Sequence, residues 1–171
     1  MPGPAAVLVG PPGAGKSTVG ALLAERLGVT LRDTDADVER TAGKSVADIF
    51  VEDGEPRIRA LEAAAVRAAV TGHDGVVSLG GGAVLDAGTR ALLAGRPVVF
   101  LDVALAEAVH RVGLDTARPL LAVNPRQRWR VLMEERRPLY TEVARAVVQT
   151  ADRTPDEVVQ AVLDALELRT A

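Results

Sequence analysis

Residues 10–18 read Gly-Pro-Pro-Gly-Ala-Gly-Lys-Ser-Thr. The apolar run Ala5, Ala6, Val7, Leu8, Val9 precedes this stretch, and a pattern with Val19, Leu22, Leu23 and Leu27 at helical spacing follows it. A glycine-rich loop between a strand and a helix is the context in which G-x-x-x-x-G-K-[ST] holds phosphate. Gly10, Gly13 and Gly15 permit strained turns and a close approach of backbone to ligand. The N–H groups of Gly13, Ala14 and Gly15 and the start of the helix then point at phosphate oxygens. Lys16 adds a mobile positive charge for the β- and γ-phosphates, Ser17 places a hydroxyl for Mg²⁺, and Thr18 lies next to the phosphates. The loop predicts nucleotide binding and leaves the phosphate acceptor open.

Outward from the loop, strands are predicted at 30–32, 76–79, 98–101 and 146–148, in addition to the one before Gly10. Helical spacing covers the regions around Val38 and Ile49, then 55–70, 88–93, 104–112 and 126–137, where Pro138 is expected to stop it. Pro155 opens a last helix. Strands alternating with helices predict an α/β three-layer sandwich, a five-stranded parallel sheet with helices on both faces. No linker or repeat divides the chain, so 1–171 is expected to form one domain. Ligands of such sheets bind at the carboxyl ends of strands. The loop, Asp33 with Asp35, and Gly80-Gly81-Gly82 all lie just after strands.

Composition sets the outer limits. The 171 residues are 48% hydrophobic and 25% charged, as in ordinary globular chains. Of the 20 cationic residues only Lys16 and Lys44 are lysine, which makes Lys16 conspicuous. A net charge of −3 gives no reason to expect nucleic acid or an anionic membrane as partner. There is no cysteine, which excludes disulfides, a thiol nucleophile and a cysteine-ligated metal. No stretch is long enough to span a bilayer and the N-terminus lacks a signal-peptide pattern, so a cytoplasmic location is expected.

Asp33 and Asp35 stand two apart at a strand end, where an extended chain projects both to one side. One can organise Mg²⁺ and the other accept a proton from a hydroxyl; both can equally serve as caps of the next helix. Three consecutive glycines exceed what a turn needs and favour contact with a small ligand. Arg59 and Glu62 are helical neighbours, so Glu62 can fix the fork of Arg59. With Arg136 this would make a bidentate site for a carboxylate, although each arginine alone reads as a solvated surface residue. Arg118 sits in the irregular stretch 113–125, whose length suits a lid. His73 and His110 have no metal-ligand spacing. Trp129 and Tyr140 read as packing residues.

Taken together these pieces resemble the shikimate kinases of bacteria. The carriers are residues 10–18, LRDTDADVE at 31–39, SVADIF at 45–50, DGE at 53–55, Arg59 with Glu62, SLGGGAV at 78–84, RPLL at 118–121 and ERRPLY at 135–140. The resemblance implies a P-loop kinase fold with a mobile lid, a substrate-binding part at about 34–62, and phosphorylation of the shikimate 3-hydroxyl by ATP with Mg²⁺. It implies that Gly13, Ala14, Gly15, Lys16, Ser17 and Thr18 bind ATP, that Asp33 organises Mg²⁺ through water, and that Asp35 contacts the shikimate hydroxyls as candidate base. Arg59 and Arg136 would clamp the carboxylate, Gly81 and Gly82 would donate to shikimate, Arg118 would stabilise the transferring phosphate, and Arg111 and Pro155 would flank adenine. A monomer is expected. Ile58 departs from the aromatic usual before the carboxylate-binding arginine. A gluconate or nucleotide kinase of the same fold, and a nucleotide-binding module without activity, are the competing readings.

Overall fold

The computed structural model describes residues 3–103 and 125–171. The expected helix at 104–112, the lid stretch up to residue 124, Arg111 and Arg118 lie outside the described residues. Five parallel strands form one sheet: β1 (Ala6–Val9), β2 (Leu31–Asp33), β3 (Val76–Ser78), β4 (Val98–Asp102) and β5 (Ala146–Gln149). Their order is β2-β3-β1-β4-β5. Central β1 is buried along its whole length, as is β4, which is why both read as continuous apolar runs. The chain leaves β1 between β3 and β4, so the loop after β1 opens into the crevice at the switch point of the sheet.

The helices of the described residues are α1 (Lys16–Leu27), α2 (Thr34–Ala42), α3 (Val46–Asp53), α4 (Glu55–Gly72), α5 (Ala87–Leu93), α6 (Pro125–Val143) and α7 (Pro155–Ala165), with a 3-10 turn at Ala83–Leu85. They cover both faces of the sheet: α1 packs against α7, while α4, α5 and α6 pack in series. Local chemistry sets their ends. Ser45 caps α3 through the Asp48 N–H, and Thr154 and Glu157 cap α7 reciprocally. Most buried apolar side chains form one core around the sheet, whereas Val38, Ile49 and Ile58 form a second small cluster between α2, α3 and α4. Ile58 therefore packs inside that helical subassembly.

Pro138 does not stop α6, which continues to Val143. Pro138 and Glu134, whose carbonyl would have received the missing N–H, are both exposed, on a helix side where a freed carbonyl can be hydrated rather than left unpaired in the core. Pro125, expected in the irregular stretch, is the first residue of α6.

Candidate active site

The loop after β1 is built on glycine geometry. Gly10 has φ +152°, and a Cβ there would stand 2.6 Å from the Leu101 carbonyl oxygen of β4. Gly15, in the left-handed region, precedes α1 and offers no side-chain cap. A helix start without a side-chain cap is suited to an anion. Lys16 folds over the loop, its Nζ donating to the carbonyls of Gly10 at 2.7 Å and Pro11 at 3.1 Å. Ser17 and Thr18 are exposed. Ser17 Oγ donates to Asp33 Oδ2 at 3.2 Å.

Asp33 also accepts the Asp35 N–H on Oδ1 at 2.9 Å, capping α2. The two carboxylates do not lie on one extended segment: Asp33 ends β2 and Asp35 belongs to the first turn of α2. The cap turns the chain between them, so the expected same-side projection is replaced by a division of space. Asp33 faces Ser17, and Asp35 faces Gly80.

The glycine triplet is the floor of a second basin. A Cβ on Gly80 would stand 2.5 Å from Asp35 Oδ1 and 2.7 Å from Glu62 Oε2; one on Gly81 would stand 3.1 Å from Pro12 Cδ; one on Gly82 would collide with the Arg59 guanidinium. Side chains from α2, α4 and the phosphate loop therefore press directly on this backbone. The Gly80 N–H is taken by Thr34 Oγ1 at 3.1 Å. No hydrogen bond among the described residues engages the N–H groups of Gly81 and Gly82.

Arg59 donates through Nη1 to Glu62 Oε1 at 3.0 Å and through Nη2 to Glu55 Oε1 at 3.2 Å. Burial raises the Glu62 pKa above its usual value; Arg59 and Arg136 act against this and Asp35 adds to it. These four charged groups thus share one locality. Arg136 is buried, and its Nε has no hydrogen-bond partner among the described residues. The surface reading of Arg136 is wrong, because α6 turns it into the protein. A buried, incompletely paired guanidinium beside a second one is suited to an incoming carboxylate.

Pro155 lines a cavity of about 250 Å³ next to the loop, with Gly15, Thr18, Thr150, Arg153 and Val158. Thr150 and Arg153 were not singled out in the sequence. Their signal is positional: both belong to the turn that follows the carboxyl end of β5, where ligands of such sheets are held. Tyr140 is also more than a packing residue. Its ring lies 5.0 Å from that of Phe100, and its hydroxyl donates to the Gly81 carbonyl at 2.6 Å.

No group of three His, Asp or Glu side chains among the described residues could cage a metal. Mg²⁺ needs no such cage, since it keeps several waters and binds through one or two protein oxygens plus phosphate. The exposed Ser17–Asp33 pair at the loop fits that requirement. No helix among the described residues is long and apolar enough to cross a membrane.

Comparison with known proteins bears on the same regions. The family model described as shikimate kinase matches residues 12–167. Shikimate kinase of Streptomyces avermitilis is 66% identical over 98% of both chains. That of Streptomyces coelicolor is 61% identical over the full length of both. A solved structure of shikimate kinase from Acinetobacter baumannii in complex with shikimate superposes with TM-score 0.93 at 36% identity, covering 98% of this chain and 94% of the other.

Proposed function

This chain belongs to the shikimate kinase family, and we propose that it transfers the γ-phosphoryl group of ATP to the 3-hydroxyl of shikimate, giving shikimate 3-phosphate and ADP. The observation that carries the acceptor assignment is the basin of Arg59, Glu62, Asp35 and buried Arg136 around the glycine triplet, whose Gly81 lies against Pro12 of the phosphate loop.

In this reading Arg59 and Arg136 hold the shikimate carboxylate, and Glu62 and Glu55 keep the Arg59 fork in place. The Gly81 and Gly82 N–H groups donate to the ring substituents. Asp35 accepts the proton of the attacking hydroxyl. On the nucleotide side the Gly13–Ala14–Gly15 backbone and the open start of α1 cradle phosphates, and Lys16 moves from its carbonyl partners to the β- and γ-oxygens. The cavity lined by Thr18, Arg153 and Pro155 is assigned in the same reading to the base and ribose. Bound Mg²⁺ would neutralise developing charge on the phosphates, with Ser17 as its direct ligand and Asp33 acting through water. Arg111 and Arg118, outside the described residues, are assigned to adenine and to the transferring phosphate by their motif positions. The substrate-binding part is about 34–62 and the lid about 113–125 of a single domain. A monomer in the cytoplasm is part of the same proposal.

Coupled ADP release with Mg²⁺ and ATP, comparing shikimate, gluconate, AMP and no acceptor, tests it. Turnover of about 1–100 s⁻¹ with shikimate alone is expected. Turnover only with another acceptor discards the carboxylate clamp, and ATP binding without turnover leaves a binding module.

A further inference from the structure

We infer that Tyr140 is a positioning residue, whose hydroxyl fixes the Gly81–Gly82 peptide and so aims the Gly82 N–H at the acceptor substrate. This rests on the proposed function, since it concerns how that acceptor is met.

The turn after β3 is three glycines long and buried. Glycine backbone has more conformational freedom than any other, so a turn of this composition does not hold one shape by itself. The structure supplies the restraints one by one. Thr34 Oγ1 holds the Gly80 N–H. The Gly80 carbonyl accepts from the Ala83 N–H at 3.0 Å and the Gly82 carbonyl from the Leu85 N–H at 3.1 Å. Of the three carbonyls, that of Gly81 is the one held from another element among the described residues, by Tyr140 of α6 at 2.6 Å.

That bond has a geometric consequence. In a trans peptide the carbonyl oxygen of one residue and the N–H of the next lie on opposite edges of one plane. No described peptide is cis. Fixing the Gly81 oxygen against Tyr140 therefore fixes the Gly82 N–H on the far edge, at the residue whose missing Cβ leaves room for the Arg59 guanidinium.

Tyr140 is itself fully buried with its ring beside Phe100, and burial pushes its pKa up to about 12, so the hydroxyl keeps its proton and remains a donor. Arg136 stands one helical turn earlier on the same face of α6, and its charge is felt at the Tyr140 hydroxyl. One helix thus positions both a guanidinium for the carboxylate and the peptide that donates beside it. Continuation of α6 past Pro138 is what brings Tyr140 to this place.

Tyr140→Phe removes one oxygen and keeps the ring. We expect the shikimate KM to rise about tenfold, with the ATP KM and kcat within about twofold of the parent. Phe100→Leu removes the ring contact and keeps the hydroxyl; it should lower the melting temperature and leave the shikimate KM in place. An unchanged shikimate KM in Y140F, a rise shared by both substrates, or the same selective rise in F100L overturns the inference. Tyr140 is the only tyrosine, so 3-fluorotyrosine labels this site alone and serves even where Y140F does not fold. Its fluorine resonance should shift on adding shikimate and stay put on adding a non-hydrolysable ATP analogue; a resonance indifferent to shikimate contradicts the inference. If the parent enzyme shows no shikimate-dependent turnover, the functional reading has failed and this inference with it. Parent turnover with an unaltered Y140F removes the inference alone.

Discussion

Arg59 Nη1 lies 3.0 Å from Oε1 of Glu62, a carboxylate buried one helical turn further along α4. A second carboxylate, Glu55, holds the other side of the same guanidinium. The pairing is local to one helix, yet it orients a cation at the glycine triplet, which belongs to the end of β3. Sequence-local geometry here places a cation against a distant turn.

Replacing Arg59 by Lys keeps the charge and loses the fork. An ammonium cannot satisfy Glu62 and Glu55 and still meet a carboxylate side by side. The shikimate KM should rise by about tenfold or more with the ATP KM unaltered. Initial rates at varied shikimate check this, and an unchanged KM would refute the clamp.

Glu62 makes a prediction about pH. Burial raises its pKa above the usual 4.5, so the folded chain holds the Glu62 proton more tightly than the unfolded chain does. Its contribution to stability is complete below the ordinary glutamate pKa and is lost as pH rises through the raised value. Glu62→Gln cannot titrate. Melting temperatures of parent and E62Q measured from acid upward should therefore diverge across that window, with the parent losing ground. Parallel curves would show that the Glu62 environment is misassigned.

Gly82→Ala separates folding from binding. Gly82 has φ −93° and ψ −1°, which alanine adopts readily. The new methyl would collide with the Arg59 guanidinium, the movable end of a long side chain. Stability should change by less than about 1 kcal/mol, while the shikimate KM rises because the fork has moved. Thermal melts and kinetics on one preparation decide it. A large loss of stability with intact KM would place the constraint in the backbone.

Gly10→Ala should do the reverse. The methyl meets the backbone oxygen of Leu101, which cannot step aside, at a φ that L-residues rarely adopt. A loss of about 1–3 kcal/mol is expected from the strain. Denaturant unfolding measures it.

Ser17→Ala leaves the loop backbone intact and removes the hydroxyl that meets Asp33. Half-maximal activity should require several-fold more Mg²⁺, with little change in the melting temperature of the free protein. An unaltered Mg²⁺ titration would remove Ser17 from the metal site.

Much of this arrangement was legible in the chain. The run before Gly10 reads as a strand and the apolar run at 98–101 as one buried on both faces, and both are buried in the sheet. Pro155 marks the start of α7 through local chemistry alone. Other features are tertiary and left no local trace. Pro138 reads as a stop because the local rule ignores which side of α6 faces water. Asp33 and Asp35 read as a same-side pair because the rule for strands was carried across a helix cap. Arg136 reads as a surface arginine until α6 is folded against the sheet, and Tyr140 as filler until its hydroxyl finds Gly81. The strand order, which brings the ends of β2, β3 and β1 together, follows from packing between elements far apart in the chain.

The central claim is that the phosphoryl group of ATP passes to the hydroxyl at position 3 of shikimate. Phosphorus and proton NMR of a completed reaction with equimolar ATP, shikimate and Mg²⁺ tests it most directly. The account predicts ADP and a single phosphate monoester coupled to the proton on carbon 3. ADP with free phosphate and untouched shikimate, or an ester at another hydroxyl, would contradict it.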